Sequence, residues 1–169
     1  MRMVFDLDME KCVACGACAI ACMDQNDIDT AHGQAPFRRV GIVNPLPNQE
    51  DRRLTFLSLG CMHCADAPCI KACPVGCLYK NEMNLTVFDN TRCIGCHSCA
   101  MACPFGAPTY GEDGKMRKCD GCAERQKYGL IPACVRVCPT GALTCRAEDE
   151  YEHATQERSL RRIMENVRK

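Results

Sequence analysis

Sixteen of the eighteen cysteines in this chain fall into four runs. They are Cys12-x2-Cys15-x2-Cys18-x3-Cys22, Cys61-x2-Cys64-x4-Cys69-x3-Cys73, Cys93-x2-Cys96-x2-Cys99-x3-Cys103 and Cys119-x2-Cys122-x11-Cys134-x3-Cys138, and the last three are each followed by Pro. Two runs have a compact spacing and two are stretched forms of it. Iron in a cubane [4Fe–4S] cluster takes soft thiolate ligands, and a Cys-x2-Cys-x2-Cys loop wraps three corners of one cube. The fourth corner comes from the last cysteine of a partner run, so the runs must interlock in pairs. Sixteen thiolates make four clusters with none left over. A lone Cys-x2-Cys pair would suit zinc as well as iron. Four quartets favour iron, and zinc stays open only for the fourth run, whose 11-residue gap is like that of a zinc ribbon.

Composition points the same way. With no Trp, four Tyr and five Phe in 169 residues, an ordinary apolar core would be thin. Cysteines bunched two residues apart suit cluster ligation better than disulfides between distant segments. Clusters would then supply the missing core, and the metal-free chain is expected to be largely unfolded. Net charge is zero, with 21 basic and 21 acidic residues, which argues against nucleic acid and an anionic membrane surface as partners. No apolar run approaches the roughly 20 residues that span a bilayer, so no membrane insertion is expected. The first ligand falls at residue 12, leaving no room for a signal peptide. A cytoplasmic protein is expected, the alternative being the periplasm by export on a partner's signal. There is no glycine-rich nucleotide loop and no nucleophile–base pair, so the expected role is moving single electrons, not catalysis.

The runs sit in repeats. Val4-Phe5-Asp6 precedes the first run as Val87-Phe88-Asp89 precedes the third, each a short strand. After each Cys-Pro comes x-Gly-x, a tight turn that bends the chain from the cluster towards a strand. The last three cysteines of a compact run, spaced 3 and 4, fit a short helix covering the cluster. Val40–Val43 and Leu54–Leu59, punctuated by Pro45-Leu46-Pro47-Asn48, read as a hairpin with a long loop, and Asn81–Asn84 as the turn between Leu78-Tyr79 and Leu85–Phe88. From Ala147 to Lys169 there is no Cys, Gly or Pro, and Leu160, Ile163, Met164 and Val167 share one helical face. Glu148, Asp149, Glu150 and Glu152 at its start and Arg161, Arg162, Arg168 and Lys169 towards its end match the helix dipole. Two readings are open: the stripe packs on its own domain, or it docks a partner.

The quartets resemble the four-cluster iron–sulfur electron-transfer subunits of the molybdopterin (dimethyl sulfoxide reductase) superfamily. The most specific element is Gly60-Cys61-Met62-His63-Cys64-Ala65-Asp66-Ala67-Pro68-Cys69, similar to that family's Cys-x-His-Cys-x3-Pro-Cys second run, and the resemblance covers residues 4–145. It implies an α+β fold of tandem ferredoxin-like dicluster modules, short hairpins and short helices around clusters, with a C-terminal helix. The four-cluster domain would span 1–146, the first run pairing with the fourth (1–60 plus 109–146) and the second with the third (61–108), and the helix 147–169. It implies four [4Fe–4S] clusters: Cys12, Cys15, Cys18 and Cys138; Cys22, Cys119, Cys122 and Cys134; Cys61, Cys64, Cys69 and Cys103; Cys73, Cys93, Cys96 and Cys99. The implied partner is a large molybdopterin or tungstopterin catalytic subunit, with a further redox subunit, a ferredoxin or another copy of the chain at the other end. Compact relatives serve tungsten aldehyde oxidoreductases and class II benzoyl-CoA reductases. The alternatives are a free polyferredoxin and a cluster-based redox sensor, though no DNA-binding pattern is visible. One departure is Met23, which follows the first run where Pro might be expected.

Six further residues need roles. Cys77 and Cys145 read as small buried hydrophobes. His63 and His97, inside the cysteine loops, read as loop-packing residues, the alternative being ring N–H donors to a cluster sulfur. His32 and His153 read as surface residues. The methionines, among them Met62, Met101 and Met116, are expected to fill gaps around the clusters.

Overall fold

The computed structural model describes residues 2–45 and 54–167. Leu46, Pro47 and Asn48 of the expected turn, the Arg162 side chain, and Arg168 and Lys169 lie outside them. Strand β1 (Met3–Leu7) pairs antiparallel with β8 (Leu143–Ala147), Met3 opposite Ala147 and Leu7 opposite Leu143. Three local hairpins complete the strands: β2 (Arg39–Val43) with β3 (Thr55–Leu59), β4 (Leu78–Lys80) with β5 (Thr86–Phe88), and β6 (Thr109–Tyr110) with β7 (Met116–Arg117). Each sheet has two strands, too few to stand alone in water.

Short helices carry the cysteines. These are α1 (Ala17–Gln25), α2 (Pro68–Lys71), α3 (Ser98–Ala102), α4 (Ala123–Lys127) and α5 (Ala133–Arg136). Helix α1 packs on α5, joining the first and fourth runs, and α2 packs on α3, joining the second and third. The helices take in fewer cysteines than the spacing suggests. Helix α1 includes Cys18 and Cys22, and α3 includes Cys99 with Cys103 just past its end. Neither reaches back to the second cysteine, because Gly16 and His97 sit in the left-handed region, at φ 80 and 64, and break the chain before the third. In the first Cys-x2-Cys loop of each run the second x is left-handed as well: Ala14 at φ 51, His63 at 45, Gly95 at 68 and Gly121 at 78. Such a loop must reverse within two residues to bring both sulfurs to one side, and a left-handed residue achieves that.

Two apolar clusters result. One gathers Phe5, Leu85, Val87, Cys134 and Leu143; the other gathers Ala67, Cys69, Cys77, Leu78, Cys99 and Met116. The hairpin β6–β7, grouped by sequence with the first and fourth runs, contributes Tyr110 and Met116 to the second cluster. Leu85 and Val87, grouped with the second and third, pack into the first. Each apolar cluster therefore draws on segments from both sides of the expected division.

The long helix α6 (Glu148–Val167) follows β8 directly. It does pack on its own domain, against β1 and β8, but through Tyr151, Ala154, Thr155 and Arg158. Arg158 reaches Asp6 at 2.7 Å and Arg2 pairs with Glu148, pinning the first three turns. The apolar stripe lies beyond the sheet: Leu160, Ile163, Met164 and Val167 are 54–82% exposed. No helix among the described residues is long and apolar enough to cross a membrane.

Glycine at residue 95 separates the third-run loop from the β6–β7 turn. A Cβ there would lie 2.6 Å from the Gly114 carbonyl oxygen, whereas at Gly114 it would meet nothing within 4 Å. Both residues have positive φ. Gly114→Ala is expected to lose about 1 kcal/mol from backbone strain alone. Gly95→Ala adds overpacking of about 1–3 kcal/mol. Thermal bleaching of the cluster chromophore, followed for both variants, should give the larger loss of midpoint for Gly95→Ala.

Candidate iron–sulfur cluster site

The cysteines meet across the chain in four neighbourhoods. Cys12, Cys15, Cys18 and Cys138 line one cavity, closed by Leu7, Val40, Ser58 and Leu143. Cys73, Cys93, Cys96 and Cys99 line another, beside Cys77, His97, Tyr110 and Met116. The third is visible in its mutual electrostatics. Burial pushes the Cys22 thiol up to about 12, and Cys134 and Cys122 add to the shift. Cys119 is pushed up by burial first, with Cys61 and Cys22 adding, and Lys118 and Arg38 opposing. In the fourth, burial raises Cys69, Lys118 opposes, and Cys61 and Cys103 reinforce the rise. Cys64 shares the field of the Lys80 ammonium with Cys61 and Cys69. Among the described residues no three donors converge tightly enough to hold a single ion. A cubane presents its irons at separate corners, so its ligands stand farther apart than those of one metal.

The backbone around these sulfurs is arranged for anions. In each Cys-Pro-x-Gly-x turn the glycine has positive φ and its N–H bonds the carbonyl of the cysteine, as for Gly76 to Cys73 at 3.3 Å. The turn then aims a later N–H at that cysteine's own sulfur. Cys77 donates to Cys73 Sγ at 3.3 Å, Ala107 to Cys103 Sγ at 3.4 Å and Leu143 to Cys138 Sγ at 3.5 Å. Met116 N–H reaches Cys93 Sγ at 3.3 Å and Gly121 N–H reaches Cys119 Sγ at 3.3 Å. Burial would raise Cys73 and Cys138, yet these donors bring both below the ordinary thiol value. Donors to an ionised acceptor are worth about 1.5–3 kcal/mol each. Side chains add contacts to sulfur from Ser58 Oγ (3.2 Å to Cys18), Tyr110 Oη (3.4 Å to Cys99) and Asn26 Nδ2 (3.7 Å to Cys22).

Two buried cations complete the field. Arg38 donates to the Ser58 carbonyl at 3.2 Å and hydroxyl at 3.1 Å, and its field acts on Cys134, Cys119, Cys18 and Cys22. Lys118 donates to the carbonyls of Thr86 and of Cys119 (2.8 Å), with Nζ 4.0 Å from Cys61 Sγ. These two, with Lys80 and Ser58, stand among the cysteines, and spacing does not reveal them. Their only signal was position, Lys118 directly before Cys119, and basic side chains ordinarily lie on the surface. Soft thiols in fours, N–H groups aimed at them and buried positive charge together fit a buried anionic [4Fe–4S] cluster.

The remaining residues separate clearly. Cys77 is buried with Sγ 3.4 Å from Cys73 Sγ, its thiol held up at about 12 by burial and by Cys73. Cys145 lies on β8 opposite Phe5, and burial pushes it up to about 12 too. His97 stacks on Tyr110 with ring centroids 3.7 Å apart. His63 does more than pack: it is fully buried, stacks on Phe5, and places Nε2 3.6 Å from Cys119 Sγ. His32 and His153 are exposed beside Asp29 and Glu157. Met116 fills the core as expected, whereas Met101 is 87% exposed, because it falls on the outer face of α3.

Comparison with known proteins agrees with this geometry. Residues 52–148 match the family model of the 4Fe-4S dicluster domain, and residues 9–23 that of a 4Fe-4S binding domain. The sequence is 40% identical to an anaerobic dimethyl sulfoxide reductase subunit of Escherichia coli (strain K12), over 86% of this chain and 74% of that protein. It is 39% identical to the thiosulfate reductase electron transfer subunit PhsB of Salmonella typhi (86% and 76%). It is 34% identical to the formate dehydrogenase iron-sulfur subunit of Wolinella succinogenes (95% and 89%). The chain thus belongs to the dimethyl sulfoxide reductase, thiosulfate reductase and formate dehydrogenase family of iron–sulfur subunits, with [4Fe–4S] clusters as its cofactors.

Proposed function

We propose that this chain is the electron-transfer subunit of an oxidoreductase complex. It would relay single electrons between a molybdenum- or tungsten-pterin catalytic subunit and a second redox partner. The observation that carries this reading is the company kept by each run's last cysteine. Cys138 lines the cavity of Cys12, Cys15 and Cys18, and Cys73 that of Cys93, Cys96 and Cys99. Cys22 lies in the field of Cys122 and Cys134, and Cys103 in that of Cys69. That interlocking supports four ligand sets: Cys12, Cys15, Cys18, Cys138; Cys22, Cys119, Cys122, Cys134; Cys61, Cys64, Cys69, Cys103; and Cys73, Cys93, Cys96, Cys99. It also supports two modules, with the β6–β7 hairpin assigned to the one built on the second and third runs.

Bound [4Fe–4S] clusters supply one-electron acceptance and release. The chain's part is to hold them in a dry interior, order them, and stabilise their charge. Backbone N–H groups and buried cations favour the more negative, reduced form. Helices α1 with α5 and α2 with α3 fix neighbouring sets at a constant separation, since each helix carries a ligand of one set and leads to a ligand of the next.

Counting iron tests the assignment. The purified chain is expected to carry about sixteen irons, four for each cubane. Cys138→Ala and Cys103→Ala should each lose one cluster, whereas Cys77→Ala and Cys145→Ala should keep all four. Loss of iron from either of the latter pair would remove the ligand sets as written. Partnership has its own measurement: an affinity-tagged chain, captured anaerobically from its own host, should bring down a stoichiometric large subunit containing molybdenum or tungsten. A chain that elutes alone and still reduces or oxidises soluble carriers would instead be a free polyferredoxin.

A further inference from the structure

Thiolate spacing explains where clusters go, but it does not explain a lysine buried between two of the cysteine groups. Among the described residues, Arg38 and Lys118 are the buried cations, at 2% and 1% exposure, and neither has a carboxylate partner there. An ammonium taken out of water without an anion is strongly destabilising. Carbonyls and the Phe88 ring, 5.7 Å from Nζ, return only part of that. Negative charge must therefore arrive when the neighbouring thiols ligate iron. Lys118 Nζ lies 4.0 Å from Cys61 Sγ and holds the Cys119 carbonyl at 2.8 Å, so it touches a member of each of two ligand sets in different modules.

His63 stands at the same crossing. It belongs to the second run but reaches the fourth. Its Nδ1 accepts the Thr86 N–H at 3.1 Å, which leaves the ring proton on Nε2, 3.6 Å from Cys119 Sγ. It keeps a left-handed backbone, φ 45, that strains a non-glycine residue. The cavity of Cys73, Cys93, Cys96 and Cys99 offers a contrast, being lined by His97, Tyr110 and Met116 with no buried cation among the described residues.

We propose that Lys118, with His63 beside it, sets the reduction potential at the crossing between the two modules. It acts as a fixed positive charge shared by the set Cys22, Cys119, Cys122, Cys134 and the set Cys61, Cys64, Cys69, Cys103. This rests on the ligand sets proposed above. Reduction adds negative charge, so a cation beside a ligand sulfur favours the reduced state, and in a dry interior it does so strongly. Placed between two sets, it raises both together and keeps them close, which leaves the crossing without a steep uphill step. The set around Cys73, whose cavity Lys118 does not line, is left at a lower potential.

The test is a redox titration followed by electron paramagnetic resonance on the anaerobically purified full-length chain, with iron and sulfide counted for each variant. Lys118→Met removes the charge and the donors, Lys118→Gln removes the charge and keeps a donor, and Lys118→Arg keeps the charge. Each neutral variant is expected to hold four clusters and to reduce two of them at least tenfold less favourably, about 59 mV lower for a one-electron couple. The other two clusters, and all four in Lys118→Arg, should titrate near the wild type. Loss of one cluster from both neutral variants, with four retained in Lys118→Arg, overturns it, since the charge would then serve assembly and not the potential. Four clusters with unmoved potentials overturns it, and so does loss of iron in all three variants, which would make the role steric. A wild-type chain with fewer than four clusters overturns the ligand sets and this proposal with them.

Discussion

Everything in this molecule depends on residues far apart in sequence meeting around a shared anion. A cubane's fourth thiolate has to come from another run, and the antiparallel ladder of β1 with β8 brings the first run beside the last. That ladder is a long-range closure, entropically expensive and made by a two-stranded sheet that could not persist alone. What holds it is the burial of Phe5 and Leu143 in one apolar cluster with Cys134 and, on the ligand sets proposed above, a cluster held in the cavity that Cys18 and Cys138 line. Fold and cofactor are in this sense one equilibrium, as in other small metal-dependent domains.

Electrostatics decides how the interior is built. Burial alone would keep Cys22 and Cys119 protonated, since a thiolate in a dry core has lost its water. Iron supplies the positive charge that removes those protons, and the protein then has to stabilise a net negative cluster. It does so with parts that cost little elsewhere. N–H groups in tight turns are free to point at sulfur because the turn already bonds its own carbonyl, as Gly76 does to Cys73. Arg38 and Lys118 cost far more, and they are confined to places where more than one cysteine group feels them.

The same economy explains the outside of the molecule. The apolar clusters are small and thread between cysteines, so exposed apolar side chains such as Met101 and Ile94 are tolerated on segments that have no interior left to enter. Helix α6 is held by ion pairs to Asp6 and Arg2 along its first turns, and it then runs on past the sheet that supports it. Its stripe from Leu160 to Val167 has the periodicity of a packed face, yet periodicity reports only that residues share a side.

Chemistry carried by type and spacing was legible in the residues themselves. Sixteen thiols in fours, three Cys-Pro-x-Gly turns, two of the three hairpins and the terminal helix can all be read from Cys12 to Val167 without coordinates, because ligand geometry, turn conformation and helical period are local. Three things were settled only by tertiary contact. A helix starting after the second cysteine follows from left-handed residues at Gly16 and His97, which the 3,4 spacing does not reveal. The company of the β6–β7 hairpin depends on where Tyr110 and Met116 find room. Above all, Lys118, Arg38 and His63 look in sequence like a surface lysine, a surface arginine and a loop histidine. Their burial against Cys61, Cys134 and Cys119 depends on which distant sulfurs the fold brings near them, and charge acts through space rather than along the chain.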